Sequence, residues 1–379
     1  MNKKAKLKKS DIVLICIYPI MILLNVVARL SEGFSDFYVE KVFPIVSFPL
    51  MWFTGLFPFA IGECVVAIWV VTVIIGIPAL IITVIIKRND GSFCNKLSRF
   101  SLRFSLWILA FLLTTETLNC FIMYQCSTFS SRYFDETEHT EELLLEALDA
   151  VVTQVVDLHD NFTRNEDGYI VPEYDDYSAE CIASMKKISE TYSSLSGYYP
   201  KPKPIMTSFF MSQRGTIGLF VPFTMEATYN RDIQPIAKPS TLCHELAHLK
   251  GIIQEDEANF VAMISCFSSD SDVVKYSGYL DALYYLYSDA KKLQDTEYEN
   301  EYISIIIKVP AIVWTNDISS FTADYWEKNK DKEIIPTEKV EAVSEAITDA
   351  ALQLNGVKDG IMSYYRVVEL LMDYYASLK

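Results

Sequence analysis

The chain has 379 residues, 51% of them hydrophobic, and a formal net charge of −16. That length allows more than one domain, and that apolar share is high for a wholly soluble protein. Residues 1 to 124 hold 12 Lys and Arg against 7 Asp and Glu, leaving 21 against 42 for residues 125 to 379. The acidity of the second part excludes a nucleic-acid or anionic-lipid partner for it, because phosphate binding needs clustered cations. The eight cysteines are scattered, with no CxxC pair, and define neither a disulfide framework nor a thiolate metal site.

An apolar run, Ile12 to Val27, follows lysines at positions 3, 4, 6, 8 and 9. No small-residue cleavage site follows it, so it reads as an uncleaved signal-anchor helix over about residues 11–29. Further spans are predicted at about 62–86 and 104–124. Between the first two, the stretch Val42 to Ala60 carries Pro44, Pro49 and Pro58 and reads as too broken for one regular helix. It is expected to lie at the interface or re-enter the bilayer. Glu63 and Glu116 are carboxylates at or inside spans, to be explained either by function or by hydrogen bonding at the interface and within the bundle.

Lys and Arg flank the N-terminus and the loop between the second and third spans (Lys87, Arg88, Lys96, Arg99, Arg103), which places those sides in the cytoplasm. Three crossings then put residues 125–379 outside the cytoplasmic membrane. In that part, apolar residues at helical spacing predict a helix over Glu138 to Leu158 and another over Tyr177 to Leu195, stopped by Gly197 and Pro200. Residues Ile205 to Phe223 suggest one or two strands. More helices are expected at about 272–292, 297–308, 317–329, 337–354 and 358–377. The fold class is mainly α: a three-span anchor (1–124), then a mostly helical, zincin-like domain (125–379) with a small β element.

The chemistry concentrates in PSTLCHELAHLKGIIQEDEANFVAMISCF (239–267), where two of the four histidines fall in one HExxH. His244 and His248 lie one helical turn apart on the same face and can share a zinc ion, and Glu245 is placed to act on zinc-bound water. Ser240 or Thr241 is expected to cap this helix and Gly251 to end it. A catalytic zinc wants a third protein ligand and an open position. Gln254 stands where a third histidine would be needed, so the third ligand is a glutamate. Glu255 is preferred, because Asn259 lies four residues on along the same face and can hold a ligating histidine by a hydrogen bond. Glu257 is the alternative ligand, while Asp256 is expected to face solvent. His139 and His159, among acids, read as surface residues.

These parts predict hydrolysis of a peptide bond by zinc-activated water, with Glu245 passing the proton to the leaving amine. The substrate would be a peptide or protein, held extended along an edge strand, for which Thr216 to Phe223 is the candidate. A zinc amidase acting on cell wall, or a silent zinc-binding sensor or assembly protein, are the other readings. Tyr364, Tyr365, Tyr374 and Tyr375 offer oxyanion stabilisers or core aromatics.

Four segments, LFPFAIGE (56–63), GLFVPFTMEATYN (218–230), HELAHLKGIIQEDEANF (244–260) and NGVKDGIMSYYRVVELL (355–371), resemble in that order the bacterial multi-span membrane family known as domain of unknown function 3810. The resemblance implies a three-span anchor, an external helical domain and a gluzincin-like zinc site, and assigns no substrate. The segment also looks similar to the ExxAD pattern of membrane zinc peptidases, whose first Glu is a ligand; Glu255, Ala258 and Asn259 match it as ExxAN. The gap after His248 is shorter than in those peptidases, and in DAALQLNG (349–356) Ala351 and Gln353 stand where Tyr and Lys would be expected.

Overall fold

A computed structural model describes residues 9–85, 93–358, 360, 362 and 366–379. The lysines at 3, 4, 6 and 8, the end of the second predicted span at Ile86, the loop cations Lys87 and Arg88, and Tyr364 and Tyr365 lie outside the described residues. The fold is mostly helical with one small sheet. The chain divides into two compact units: Met1–Cys126 with Val221–Glu226, and Ser127–Phe220 with Ala227–Lys379.

In the first unit three helices are long and apolar enough to cross a membrane: Lys9–Leu30, Ile61–Ile85 and Phe93–Gln125. They leave large apolar side chains such as Leu23, Ile75 and Val84 exposed, which suits helices solvated by lipid. The third is longer than expected, since Phe93 to Arg103 continues the helix instead of forming a loop. Its polar residues find partners there: Arg103 reaches Asp11 (2.5 Å) and Ser10 (2.6 Å), and the Ser101 hydroxyl donates to the Thr72 carbonyl (2.8 Å). A Cβ at Gly76 would sit 1.8 Å from Ser101 Oγ, so the two helices meet through small residues.

The proline-rich stretch also departs from expectation. Phe43–Gly55 is a regular helix of 13 residues with Pro44 in its first turn and Pro49 inside. Pro44 stands just after a π-helical turn, Tyr38–Val42, that itself continues the helix Glu32–Phe37, so the backbone runs helically from Glu32 to Gly55 through both prolines. With Glu32, Asp36, Glu40 and Lys41 in its first half, this run is not among the helices long and apolar enough to cross a membrane. The segment Val221–Glu226 completes the unit. Glu226 accepts the Ile61 and Gly62 N–H groups (2.9 and 2.8 Å), so a carboxylate from late in the sequence caps the second spanning helix. Glu63 sits in the first turn of the same helix, where the dipole favours it.

The second unit is built from helices Glu141–Leu158, Ser178–Ile188, Lys238–His248, Glu255–Phe267, Asp272–Ala290, Thr337–Leu354 and Val367–Ser377, with shorter turns between. Glu141–Leu158 is capped by the Thr140 side chain, which accepts from the Leu143 N–H. It buries Leu144, Leu148, Val151, Val152 and Val155, the stripe its sequence announces. The helix expected to run to Leu195 stops at Ile188. Ser189 turns its hydroxyl to the Lys186 carbonyl (2.6 Å), and a short 3-10 turn follows at Ser193–Leu195.

The β element has three strands, β1 (Lys203–Ile205), β2 (Gly218–Val221) and β3 (Glu226–Asn230), in the order β1-β3-β2. β1 pairs parallel to β3, with Lys203 opposite Thr228 and Ile205 opposite Asn230. The residues between β1 and β2 include a short helix, Ser208–Gln213, where strand was expected. β3 was not anticipated at all.

Candidate metal centre

The HExxH helix, Lys238–His248, starts earlier than its sequence suggests. Pro239 lies in its first turn, and neither Ser240 nor Thr241 caps it. Instead the Ser240 N–H donates to Ser277 Oγ (3.0 Å) and the Thr241 hydroxyl donates to the Ala237 carbonyl (2.8 Å). Gly251, at φ 86°, turns the chain in the left-handed region. Gln254 is extended, and Glu255 opens the next helix, Glu255–Phe267, with three acids in its first turn.

This turn folds Glu255 back onto the histidines. Glu255 Oε2 lies 3.2 Å from His244 Nε2 and 4.0 Å from His248 Nε2. The three donor atoms lie within 4.8 Å of one another. Ligands at about 2.0–2.2 Å in a tetrahedral shell stand about 3.4 Å apart, so the His244–Glu255 pair already has that spacing, and a closing of about 1 Å elsewhere would let the group hold a metal ion. The donor orientation fits as well. The second nitrogen of His248, Nδ1, bonds the Ile252 carbonyl (2.7 Å), which leaves Nε2 with its lone pair toward Glu255. Asn259 hydrogen-bonds His244, and its amide nitrogen donates to Tyr285 Oη (3.1 Å).

The electrostatics of the group pull its members in opposite directions. Burial alone would lower the His244 imidazole, but the hydrogen bond to Glu255 and its charge push it up to about 9. Burial holds His248 down to about 4, helped by the neighbouring His244. Burial likewise pushes the Glu245 carboxyl up to about 8. A cation between the three donors would take over the role of the His244 proton.

Glu245 is buried, and among the described residues its Oε2 has no hydrogen-bond partner. Its other side is packed against backbone: a Cβ on Gly218 would lie 2.2 Å from Glu245 Oε1 and 2.8 Å from Thr241 Cγ2. The site opens into a cleft of about 470 Å³. One wall is the run Arg214–Gly218, another is Asp281, Tyr284 and Tyr285, and a third comes from helix Thr337–Leu354 through Glu341, Ser344 and Glu345. Burial pushes Asp281 up to about 6 against the hydrogen bond it takes from Ser240.

Of the residues the sequence singles out, the structure brings together His244, Glu245, His248, Glu255 and Asn259. Glu257 is not among them and is corrected as a ligand candidate. Its carboxylate is buried and accepts from Ser130 N (2.9 Å) and Ser130 Oγ (2.5 Å), on a different face of the helix. Asp256 is not solvated either, because it is buried and paired with Arg366 Nε (2.7 Å). Tyr374 packs among Phe134, Phe260 and Phe267, with ring centroids 6.1–6.3 Å apart. His139 and His159 are only partly exposed; His139 pairs with Asp373 (2.9 Å), and His159 Nδ1 bonds the Val156 carbonyl (2.6 Å).

Sequence reasoning passed over Arg214, Asp281 and Tyr285, and took Gly218 only as part of the stretch Thr216 to Phe223. Three of the four carried a signal. Asp281 and Tyr285 are four apart on one helix, a polar pair on a single face, and a glycine opening a strand often marks a close backbone approach.

No curated protein and no solved structure matches the chain. The model of one family, described as a protein of unknown function (DUF3810), matches residues 38–372. That match begins after the first spanning helix and takes in both later spans, β2, β3 and the HExxH, and the chain therefore belongs to the DUF3810 family.

Proposed function

We propose that this protein is a membrane-anchored zinc peptidase whose second unit works outside the cytoplasmic membrane. The observation that carries the reading is the grouping of the donor atoms of His244, His248 and Glu255 within 4.8 Å, beside a buried glutamate whose Oε2 has no partner among the described residues. Two imidazoles and one carboxylate are a donor set for zinc. Bound there, zinc would polarise the scissile carbonyl and acidify water.

The chain's own residues supply the rest. Glu245 Oε2 takes the proton of the attacking water and delivers it to the leaving nitrogen as the carbon–nitrogen bond breaks. Gly218 leaves room for that carboxylate and for Thr241, one helical turn before it. Asn259 and the Ile252 carbonyl keep the two imidazoles turned with a nitrogen inward. β2 is an edge strand of its sheet, and Thr216 to Gly218 lines the cleft, which supports a substrate lying extended beside it. The basic flanks of the anchor and the acidic remainder support an outward-facing second unit.

Zinc content and peptide hydrolysis of detergent-purified full-length protein test this. About one zinc per chain in wild type and in Glu245→Gln, with cleavage only in wild type and zinc lost from Glu255→Ala, is the expected result. Well-folded wild type that takes up no zinc would refute it.

A further inference from the structure

One cation stands in the cleft without a carboxylate. Arg214 follows the short helix Ser208–Gln213, lines the cleft, and donates its Nε to Ser344 Oγ (3.1 Å). Beyond that bond it has a distant ring contact with Phe210, at 5.9 Å. Among the described residues no Asp or Glu oxygen comes within 4.0 Å of its guanidinium. The contrast with other arginines of this unit is clear. Arg164 engages Asp317 through both terminal nitrogens, at 2.7 and 2.8 Å, and Arg231 closes on the Ile205 carbonyl.

The absence of a pair at Arg214 is not for want of acids, since Glu341 and Glu345 flank Ser344 and line the same cleft. A neutral hydroxyl takes the Nε instead and orients the planar group. The terminal nitrogens, the pair whose geometry matches a carboxylate, remain for something else.

Position along the chain gives the distance scale. Arg214 and Gly218 are the two ends of one continuous cleft wall, and Gly218 lies against Glu245. Four residues of extended chain span at most about 14 Å. We propose that Arg214 receives a carboxylate of the substrate, so that the cleft selects peptides carrying one within a few residues of the bond that Glu245 attacks. The position of that bond rests on the peptidase reading, whereas the capture of the carboxylate does not require cleavage. A free C-terminus and an Asp or Glu side chain offer the same chemistry.

The test uses full-length zinc-loaded protein carrying Glu245→Gln, with fluorescent peptides in four forms: free or amidated C-terminus, each with Glu or Gln at an internal position. Removing the recognised carboxylate is expected to weaken binding by about tenfold to about 100-fold, the range for a hydrogen bond to a charged group. Whichever removal has that effect names the source. Adding Arg214→Gln should abolish the discrimination with zinc content unchanged, and Arg214→Lys should retain part of it. Discrimination should also shrink with added salt, because Arg214 is half-exposed.

Equal binding of all four forms, discrimination that survives Arg214→Gln, or no binding of any peptide would overturn the proposal. Cleavage by wild type is read separately. Arg214-dependent binding without cleavage keeps the carboxylate site and removes the peptidase, and cleavage without discrimination does the reverse.

Discussion

Replacing Gly218 with alanine adds one carbon at a place where Glu245 Oε1 is 2.2 Å away, Glu245 Cδ 2.9 Å and Thr241 Cγ2 2.8 Å. The backbone tolerates the change, since the φ of Gly218 lies outside the left-handed region, so any effect comes from space alone. An ordinary contact needs about 3.5 Å, which asks the carboxylate to retreat by about 1.3 Å. A displacement of about 1 Å at a catalytic group can cost about 100-fold in rate, and overpacking a core costs about 1–3 kcal/mol. The zinc donors are not in this contact. Gly218→Ala should therefore lose about 100-fold in kcat with zinc stoichiometry intact and a modest drop in melting temperature. Peptide hydrolysis, metal analysis and thermal unfolding are read on the same preparation. Thr241→Ser in the same chain removes one of the clashing carbons while keeping the hydroxyl that bonds Ala237, so it should recover stability more than rate. A Gly218→Ala protein that hydrolyses peptides at the wild-type rate would refute the assignment of Glu245 as the base.

Glu257→Gln should keep its zinc and lose about 1–3 kcal/mol, because a buried carboxylate that accepts two bonds from Ser130 is replaced by an amide that cannot accept both. Metal analysis beside Glu255→Ala separates the two acids. Asn259→Leu removes the group that holds His244 and should weaken zinc affinity about 10- to 100-fold, measured by chelator competition. In the membrane unit, Glu226→Ala strips the acceptor from the Ile61 and Gly62 N–H groups and should cost about 1–2 kcal/mol, read as a lower melting temperature in detergent.

What could be read ahead of the structure was whatever depends on near neighbours in the chain. The spacing of His244 and His248 is set by one helical turn, and the face shared by Glu255 and Asn259 by another. Glu257 could not be dismissed that way, since its partner, Ser130, lies 127 residues earlier in the sequence. The same holds for Asp256, which looks like a surface acid until Arg366 arrives from the C-terminal part. The far wall of the cleft is assembled from residues between 214 and 348, each unremarked in its own neighbourhood. In the anchor, proline content was overweighted: Pro44 follows directly on the π turn Tyr38–Val42, and Phe43–Gly55 stays helical. β3 was missed because Glu226–Asn230 alternates little; its central residues are buried on both faces.

The membership of Val221–Glu226 in the first unit bears on how this protein can be cut. A protease acting just after Cys126 would separate two pieces on paper, but the tip of the β2–β3 hairpin would lose Thr54, Ile61, Gly62 and Asn119, which hold Thr224, Glu226 and Pro222. Val221 and Met225, both buried, would meet water together with a carboxylate deprived of its two donors. A shed fragment would therefore be sticky and short-lived. Attachment to the membrane is not a tether that can be removed to leave a free second unit; the spanning helices finish the folding of a segment that follows them by about a hundred residues.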